Sequence, residues 1–489
     1  MVVRSRNTGS HRNYINMTET ASCRLLIDAV YEPHWQHYAD DFGKTIAGFF
    51  SDEPELGNGA MYAKDNLLGT EQDLPWGEAM EREVSAALGE DWKEKLYLLW
   101  QDGEGAAQVR SKYMDVLTKL VRSAFSRPVA QWCRDHGVQY IGHVIEDDGQ
   151  HCRTGSSLGH YFRGLQYQDM AGIDVVLCQI MPGMNDDKNS LPCGYKFGDN
   201  KMFHYGLAKM AASHSHIQPQ KKGRAMCEIY GAYGWAEGLN MMKWLTGHML
   251  VRGINYFVPH AFSPKCPDPD CPPHFYNGGH NPEYFGFGTL MGYMERVAGI
   301  LSDGRHHASA AILYHAQAEW SGKPYMKVDD PAKVLLDSQV DFDIIPEDYL
   351  DNCTVDRKRL VLNQEDYHVF IVPQATMLPR AVVDKLHSFA VQGLPVWCIG
   401  SKPTHTCEGE PIPQEMLAQF ELIKLDKLPA AIRFRGFSDV TAVGENTKWL
   451  RVYHYSRNGG HVVMLTNEGI HGPVNAKLRL RDFKGGDFV

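Results

Sequence analysis

Residues 45–55 read Thr-Ile-Ala-Gly-Phe-Phe-Ser-Asp-Glu-Pro-Glu, an apolar run that breaks into acids at Asp52, Glu53 and Glu55. A short β-branched and aromatic run closed by polar residues predicts a buried strand whose carboxyl end opens on chemistry. The same grammar recurs downstream. Residues 139–144 (QYIGHV) carry His143 and run into Glu146-Asp147-Asp148; 173–178 (IDVVLC) end at Gln179; 224–228 (RAMCE) end at Glu228; 254–259 (INYFVP) end at His260. Amphipathic patterns between them predict helices at about 105–136, 158–171, 201–214, 237–251 and 283–302, with another inside 20–38. Gly137 and Gly253 stand where a helix needs a left-handed residue to stop.

Strands alternating with helices predict an α/β fold with a parallel sheet. Polar residues at every strand's carboxyl end favour a (β/α)8 TIM-type barrel, in which those ends share one mouth, over a doubly wound sheet with a single switch point. Such a barrel needs eight strands and five are readable, so the expectation is a barrel over residues 1–304 that lacks its first strands. The pattern resets near Asp303-Gly304-Arg305. Strands at 308–314, 342–345, 368–373 and 395–399, with helices at about 331–339 and 379–391, predict a second α/β unit over 305–430, Rossmann-like or flavodoxin-like. No glycine-rich phosphate loop follows its first strand, where the chain reads Tyr-His-Ala-Gln-Ala-Glu-Trp, so nucleotide binding is not expected. Over 431–489 the texture is β, with 449–455 and 461–466 flanking a glycine turn, the start of a β-sandwich too small to bury its own core. Both ends of the chain are therefore read as cuts through a longer protein.

Composition narrows the function. The 489 residues carry 49 basic and 59 acidic side chains, a net charge of −10, which disfavours nucleic acid or an anionic membrane as partner. No run of 18 apolar residues and no secretion signal is present; as written the chain reads as cytoplasmic, or periplasmic or secreted if an amino-terminal segment is missing. Eleven scattered cysteines suit reduced thiols. Cys266 and Cys271 with His274 could form half a zinc site, but a proline-stiffened loop is the plainer reading because no second ligand pair follows.

Glu53 and Glu228 carry the most weight, since a pair of carboxyls sharing one cleft is what cleavage of a glycosidic bond needs: one protonates the leaving oxygen, the other attacks or activates water. Each alone could simply cap the next helix. His143 and His260 could bond a substrate hydroxyl, or be satisfied rim histidines. Tyr233 and Trp235 could stack on a pyranose, with burial the alternative for either. Glu146, Asp147 and Asp148 could orient hydroxyls or bind calcium through oxygen, or be a solvated acidic loop. The aromatic loop 272–279 would serve as a subsite wall, whereas Trp92, Tyr97 and Trp100 lie at helical spacing and read as packing.

The stretches 49–55 (FFSDEPE) and 227–235 (CEIYGAYGW), Lys243-Trp244, and 252–264 (RGINYFVPHAFSP) resemble glycoside hydrolase family 106, the α-L-rhamnosidase-like enzymes, over about residues 20–300. Residues 305–430 resemble the amidotransferase-like domain of family 42 β-galactosidases. The resemblance implies a barrel glycosidase with Glu53 as general acid or acid/base and Glu228 as nucleophile or base. Family 106 implies inversion and a calcium ion, with Asp147 and Asp148 as candidate ligands; the wider clan implies retention. The clan has Asn before the strand-four acid where this chain has Asp52, which leaves Asp52 a substrate-binding or other role. A carboxyl separation of about 5–5.5 Å would favour retention and about 6.5–9.5 Å inversion. The expected partner is a carbohydrate, a rhamnoside or galactoside by resemblance, with homo-oligomerisation through the second unit. The rivals are a non-catalytic carbohydrate-binding relative and a metal-dependent hydrolase using Glu146, Asp147, His143 and His260.

Overall fold

The computed structural model describes residues 14–59, 68, 72–145, 147–185 and 199–481, with the side chains of 147–149 outside the description. The five expected strands form, each within a few residues of its predicted place: β1 (Gly48–Ser51), β2 (Gln139–Gly142), β3 (Ala171–Val175), β4 (Ala225–Ile229) and β5 (Tyr256–Pro259). β1 and β2 make one parallel pair and β3-β4-β5 a second parallel sheet. Among the described residues these strands do not close into a barrel. The two sheets meet at bare backbone: a Cβ on Gly172 would lie 1.6 Å from the carbonyl oxygen of Gly142, so only glycine lets β2 and β3 approach there. At the other end the Asp169 carboxylate accepts from the Tyr140 amide at 2.9 Å, and the Asp169 amide donates to the Tyr140 carbonyl at 2.8 Å. The strands therefore follow one another in chain order, and their carboxyl ends fall on one side.

Most predicted helices form. The segment from Ala106 to Asp135 is helical throughout, widened by a π-turn at Arg122–Ser126 just before Pro128, whose ring nitrogen has no proton to give the preceding turn. Gly137 (φ 71°) stops it as expected, and Gly253 (φ 95°) follows the helix Leu239–Leu250. Residues 158–171 are a correction, because only Tyr161–Gly164 is helical. Arg163 in that turn is held by Asp115, Glu347 and Asp348, and its amide donates to the His160 ring, so long-range ion pairs set the backbone instead of helix periodicity.

Two antiparallel residues, β6 (Arg305–His306), open the second unit. Its main strands are β7 (Ala310–Tyr314) and β8 (Phe342–Pro346), a small meander β9 (Thr354–Asp356), β10 (Arg359–Leu362) and β11 (Glu365–Tyr367), then β12 (Val369–Val372). After β13 (Met377–Leu378) come β14 (Val396–Ile399), β15 (His405–Thr406), paired to β13, and β16 (Glu421–Ile423). The order β16-β14-β12-β7-β8 is all parallel and is the flavodoxin-like arrangement. Cys398 lies fully buried in β14. Three residues of the first unit seat on the carboxyl end of β7. The Tyr314 hydroxyl donates to the His151 carbonyl at 2.9 Å, the Trp320 indole to the Cys152 carbonyl at 2.7 Å, and Arg153 pairs with Glu319 at 2.8 Å. The space left there is a cavity of about 20 Å³, room for about one water.

The last segment adds β17 (Val440–Glu445), β18 (Leu450–Arg457), β19 (Gly460–Asn467) and β20 (Asn475–Leu480). β18 and β19 form the predicted hairpin around Asn458-Gly459, both at positive φ, and β6 pairs on the far side of β18. The core of this ladder is small: Val440, Leu450 and Val452, with Leu478 and Leu480 against them. An ionic network ties it to the first unit. Fully buried Arg252 and Arg451 both grip Glu468, at 3.0 and 2.9 Å, and His248 lies 2.8 Å from the same carboxylate. The ten cysteines among the described residues are all free, eight of them buried. Among the described residues no helix is long and apolar enough to cross a membrane.

Candidate active site

Residues from four consecutive strands converge on one imidazole. His143, just past β2 and 1% exposed, lies with Nε2 3.1 Å from the Glu228 carboxylate on β4 and 3.4 Å from Asp52 after β1. Glu53, Asp52 and His143 each place one polar atom within 4.8 Å of the others. Asp174 on β3 is in register with Glu228 on β4, so the two side chains leave the sheet on the same face. Burial works against charge on His143, but Asp174, Glu228 and Glu53 outweigh it and push its pKa up to about 9. The ring is therefore an imidazolium at neutral pH, held between carboxylates that would otherwise repel one another. Its Nδ1 is buried without a hydrogen-bond partner among the described residues.

That arrangement makes a pH prediction with a definite sign. A histidine whose folded pKa exceeds its unfolded value gives its full stability below about pH 6.5, and loses it as pH climbs through about 9. Urea titrations of the wild-type chain and of His143→Gln at pH 6.5 and 9.5 should differ by about 3 kcal/mol in their pH response, with the wild type losing more. Equal losses in the two proteins would show that the ring is not charged.

The loops hold this geometry with unusual backbone. Glu53 sits at φ 42° and Tyr230, two residues past Glu228, at φ 85°, conformations that cost a non-glycine residue about 1–2 kcal/mol. The loop after β4 is pinned to the loop after β3 by the Leu177 amide on the Gly231 carbonyl at 3.0 Å, and to the loop after β5 by the Gly234 amide on Pro272 at 2.9 Å. Gly231 lets the His260 ring lie against it, since a Cβ there would meet that ring at 3.3 Å. His260 follows β5 at the same end of the sheet, with Nδ1 buried and without a hydrogen-bond partner among the described residues.

The other expected residues divide. Trp235 is 53% exposed, its ring centre 5.9 Å from that of His274 in a T-shaped contact, and is open for stacking. Tyr233 is a correction: it is buried, its hydroxyl accepts from the Ile180 amide at 3.2 Å and donates to the Ile180 carbonyl at 3.1 Å, and so it cannot face a sugar. In the loop 272–279 His274 and Phe275 turn inward, while Tyr276 stacks on exposed Phe262 at 5.0 Å. Tyr97 is exposed and Trp92 stacks on Trp76 at 5.8 Å. Glu146 lies outside the described residues; Asp147 and Asp148 begin a short 3-10 helix, Asp147–Cys152, and their side chains are outside the description. Asp52, Glu53 and His143 are the donor set here that could hold a metal ion.

Two residues escape a reading of the sequence. Asp174 is hidden inside an apolar run, and only the register of β3 with β4 gives it meaning. Glu237 ends the loop after β4 with both carboxyl oxygens buried and without a hydrogen-bond partner among the described residues, and burial pushes its pKa up to about 9. Other parts of the motif serve folding. The Asn255 amide ties the Ala225 amide to the Gly223 carbonyl below β4, and Arg252 belongs to the Glu468 network.

Compared with solved structures, the chain matches a rhamnosidase from Novosphingobium sp. PP1Y with a TM-score of 0.69 at 17% identity, covering 93% of this chain and 43% of that one. It matches the GH42 exo-carrageenase of Bacteroides ovatus at 0.62 and 11%, covering 97% and 67%. A β-galactosidase from the Antarctic haloarchaeon Halorubrum lacusprofundi matches at 0.56 and 13%, covering 97% and 69%. This chain shares its fold with glycoside hydrolases. It spans less than half the length of the rhamnosidase. No family model and no curated protein matches the sequence.

Proposed function

We propose that the chain is the catalytic part of a glycoside hydrolase of the TIM-barrel clan, with Glu53 and Glu228 as its carboxyl pair. The observation that carries the reading is that Glu53, just after β1, and Glu228, near the end of β4, flank the same buried His143. Glycosidase neighbours in fold support it. Glu228, facing an imidazolium, suits the nucleophile or base, which must be ionised; that leaves Glu53 the acid or acid/base role, in which it must take up a proton before it can give one to the leaving oxygen. Asp174 helps hold the charge on His143, and Asp52 lies 3.4 Å from the same ring. Trp235 would stack on the apolar face of a sugar ring, and His260 would bond a hydroxyl. A rhamnoside or galactoside is the substrate class to test first, and calcium the ion.

A screen of nitrophenyl glycosides tests the proposal, with hydrolysis of at least one expected and hydrolysis of none counting against it. Glu53→Gly separates stability from function: it relieves the positive φ and should leave folding unchanged or firmer by about 1 kcal/mol, while activity drops by about 10²-fold or more. A Glu53→Gly chain that is fully active would remove that residue from the mechanism. The donor set Asp52, Glu53 and His143 favours one second reading, a metal-dependent hydrolase. Activity lost to a chelator and restored by a transition metal but not by calcium would select it.

A further inference from the structure

Three histidines outside the strand-end cluster, His307 and, about 150 residues on, a pair seven positions apart, meet on one face of the carboxyl-terminal ladder. His307 follows β6, His454 lies in β18 and His461 in β19. The register explains the meeting. His461 is opposite Ser456, two residues from His454 on the same face, which makes the two histidines diagonal neighbours. The His307 amide donates to the His454 carbonyl at 3.0 Å, which continues the pairing of β6 with β18 and brings the third ring alongside. The ring centres are 4.3 Å apart for His307 and His454, 5.1 Å for His454 and His461, and 5.4 Å for His307 and His461.

We propose that His307, His454 and His461 form a binding site for a divalent transition metal, with zinc the ion to test first. One ring nitrogen from each lies within 4.8 Å of the other two, so a small contraction brings all three to metal–nitrogen distance. Nε2 of His454 and Nδ1 of His461 face each other at 2.8 Å, a contact that requires one of the two to present a lone pair. The other nitrogen of His454, Nδ1, is hydrogen-bonded to the Asp439 carboxylate, which favours the tautomer that carries its lone pair on Nε2, the atom facing His461. A carboxylate behind a ligating imidazole is the arrangement that orients histidines at metal centres. Nε2 of His307 is engaged by the Ser456 hydroxyl at 2.7 Å, which leaves Nδ1 as its ligand atom. His461 is exposed, so an ion reaches the site from solvent and a water can complete a tetrahedron. Imidazoles without thiolate or a second carboxylate suit zinc, copper or nickel over calcium or magnesium. Bound metal would join β6, β18 and β19, and so fasten the start of the second unit to the hairpin.

The second histidine cluster, His216, His306 and Asp343, does not compete. It is fully buried, and its charges are already met by Asp341 and Asp343 on His306.

The test is zinc alone, titrated calorimetrically into the metal-stripped chain, with thermal melts alongside. The wild type should bind one equivalent at this site, and its melting temperature should rise with zinc. His461→Ala, an exposed substitution, and His307→Gln should each weaken that binding by roughly 100-fold and abolish the melting shift. Asp439→Asn, which removes a positioning group, should weaken it by roughly 10-fold or more. Cys271→Ser and His143→Gln should leave it unchanged, which separates this site from the exposed cysteine loop and from the strand-end cluster. Cobalt in place of zinc should give visible d–d bands without a thiolate charge-transfer band. The proposal falls if His461→Ala binds zinc as the wild type does, if Cys271→Ser abolishes binding, or if the wild type takes up no zinc at micromolar concentration.

Discussion

Glu228→Gln should lower turnover of any glycoside the chain hydrolyses by about 10³-fold or more while the protein stays folded. The amide keeps the shape and one hydrogen-bond acceptor for His143 but removes the negative charge that a nucleophile or base requires. It also removes one of the three carboxylates that hold His143 protonated, so the variant's imidazole should titrate below the wild-type value of about 9. Circular dichroism, steady-state kinetics and an NMR titration of the ring read the three consequences separately. A Glu228→Gln chain with ordinary turnover would sink the carboxyl-pair assignment, whatever the ring does.

The largest effect on stability is expected at Glu468. Its carboxylate is fully buried, and Arg252, Arg451 and His248 all converge on it; these charges hold it well below the usual carboxylate range although burial alone would raise it. Glu468→Gln leaves two buried guanidinium groups without their shared counter-charge, a loss of about 3–5 kcal/mol. Urea denaturation should show it as a lower midpoint with a similar slope. Because a carboxylate with a depressed pKa stabilises above its unfolded pKa, the wild type should lose this contribution on acidification below about pH 4.5, and Glu468→Gln should not. A change under 1 kcal/mol would mean that water reaches the network.

Much of the fold is legible in the sequence because its strands are short apolar runs bounded by glycine, proline or acids, and those boundaries hold to within a few residues. The failures have local causes. Residues 158–171 carry helical periodicity, yet Gly159 and Gly164 weaken it, and Arg163 is pulled away by Asp115, Glu347 and Asp348. Glu53, Glu228 and His143 could be singled out since each is a titratable residue at a strand's end. Asp174 could not, because its importance lies in a pairing with a strand more than fifty residues further along. Tyr233, flanked by glycine, reads as an exposed ring until the Ile180 backbone takes both sides of its hydroxyl. The histidines of the ladder are invisible for the same reason as Asp174: only antiparallel pairing makes neighbours of His307, His454 and His461.

In a flavodoxin-like sheet the crevice beyond the first strand is where such folds seat a flavin or a nucleotide. Here the backbone of His151 and Cys152 occupies that berth, bonded to Tyr314 and Trp320, and one water's worth of room remains. That end of the second unit therefore works as a joint between the two units, and seating a coenzyme there would mean dismantling the joint first.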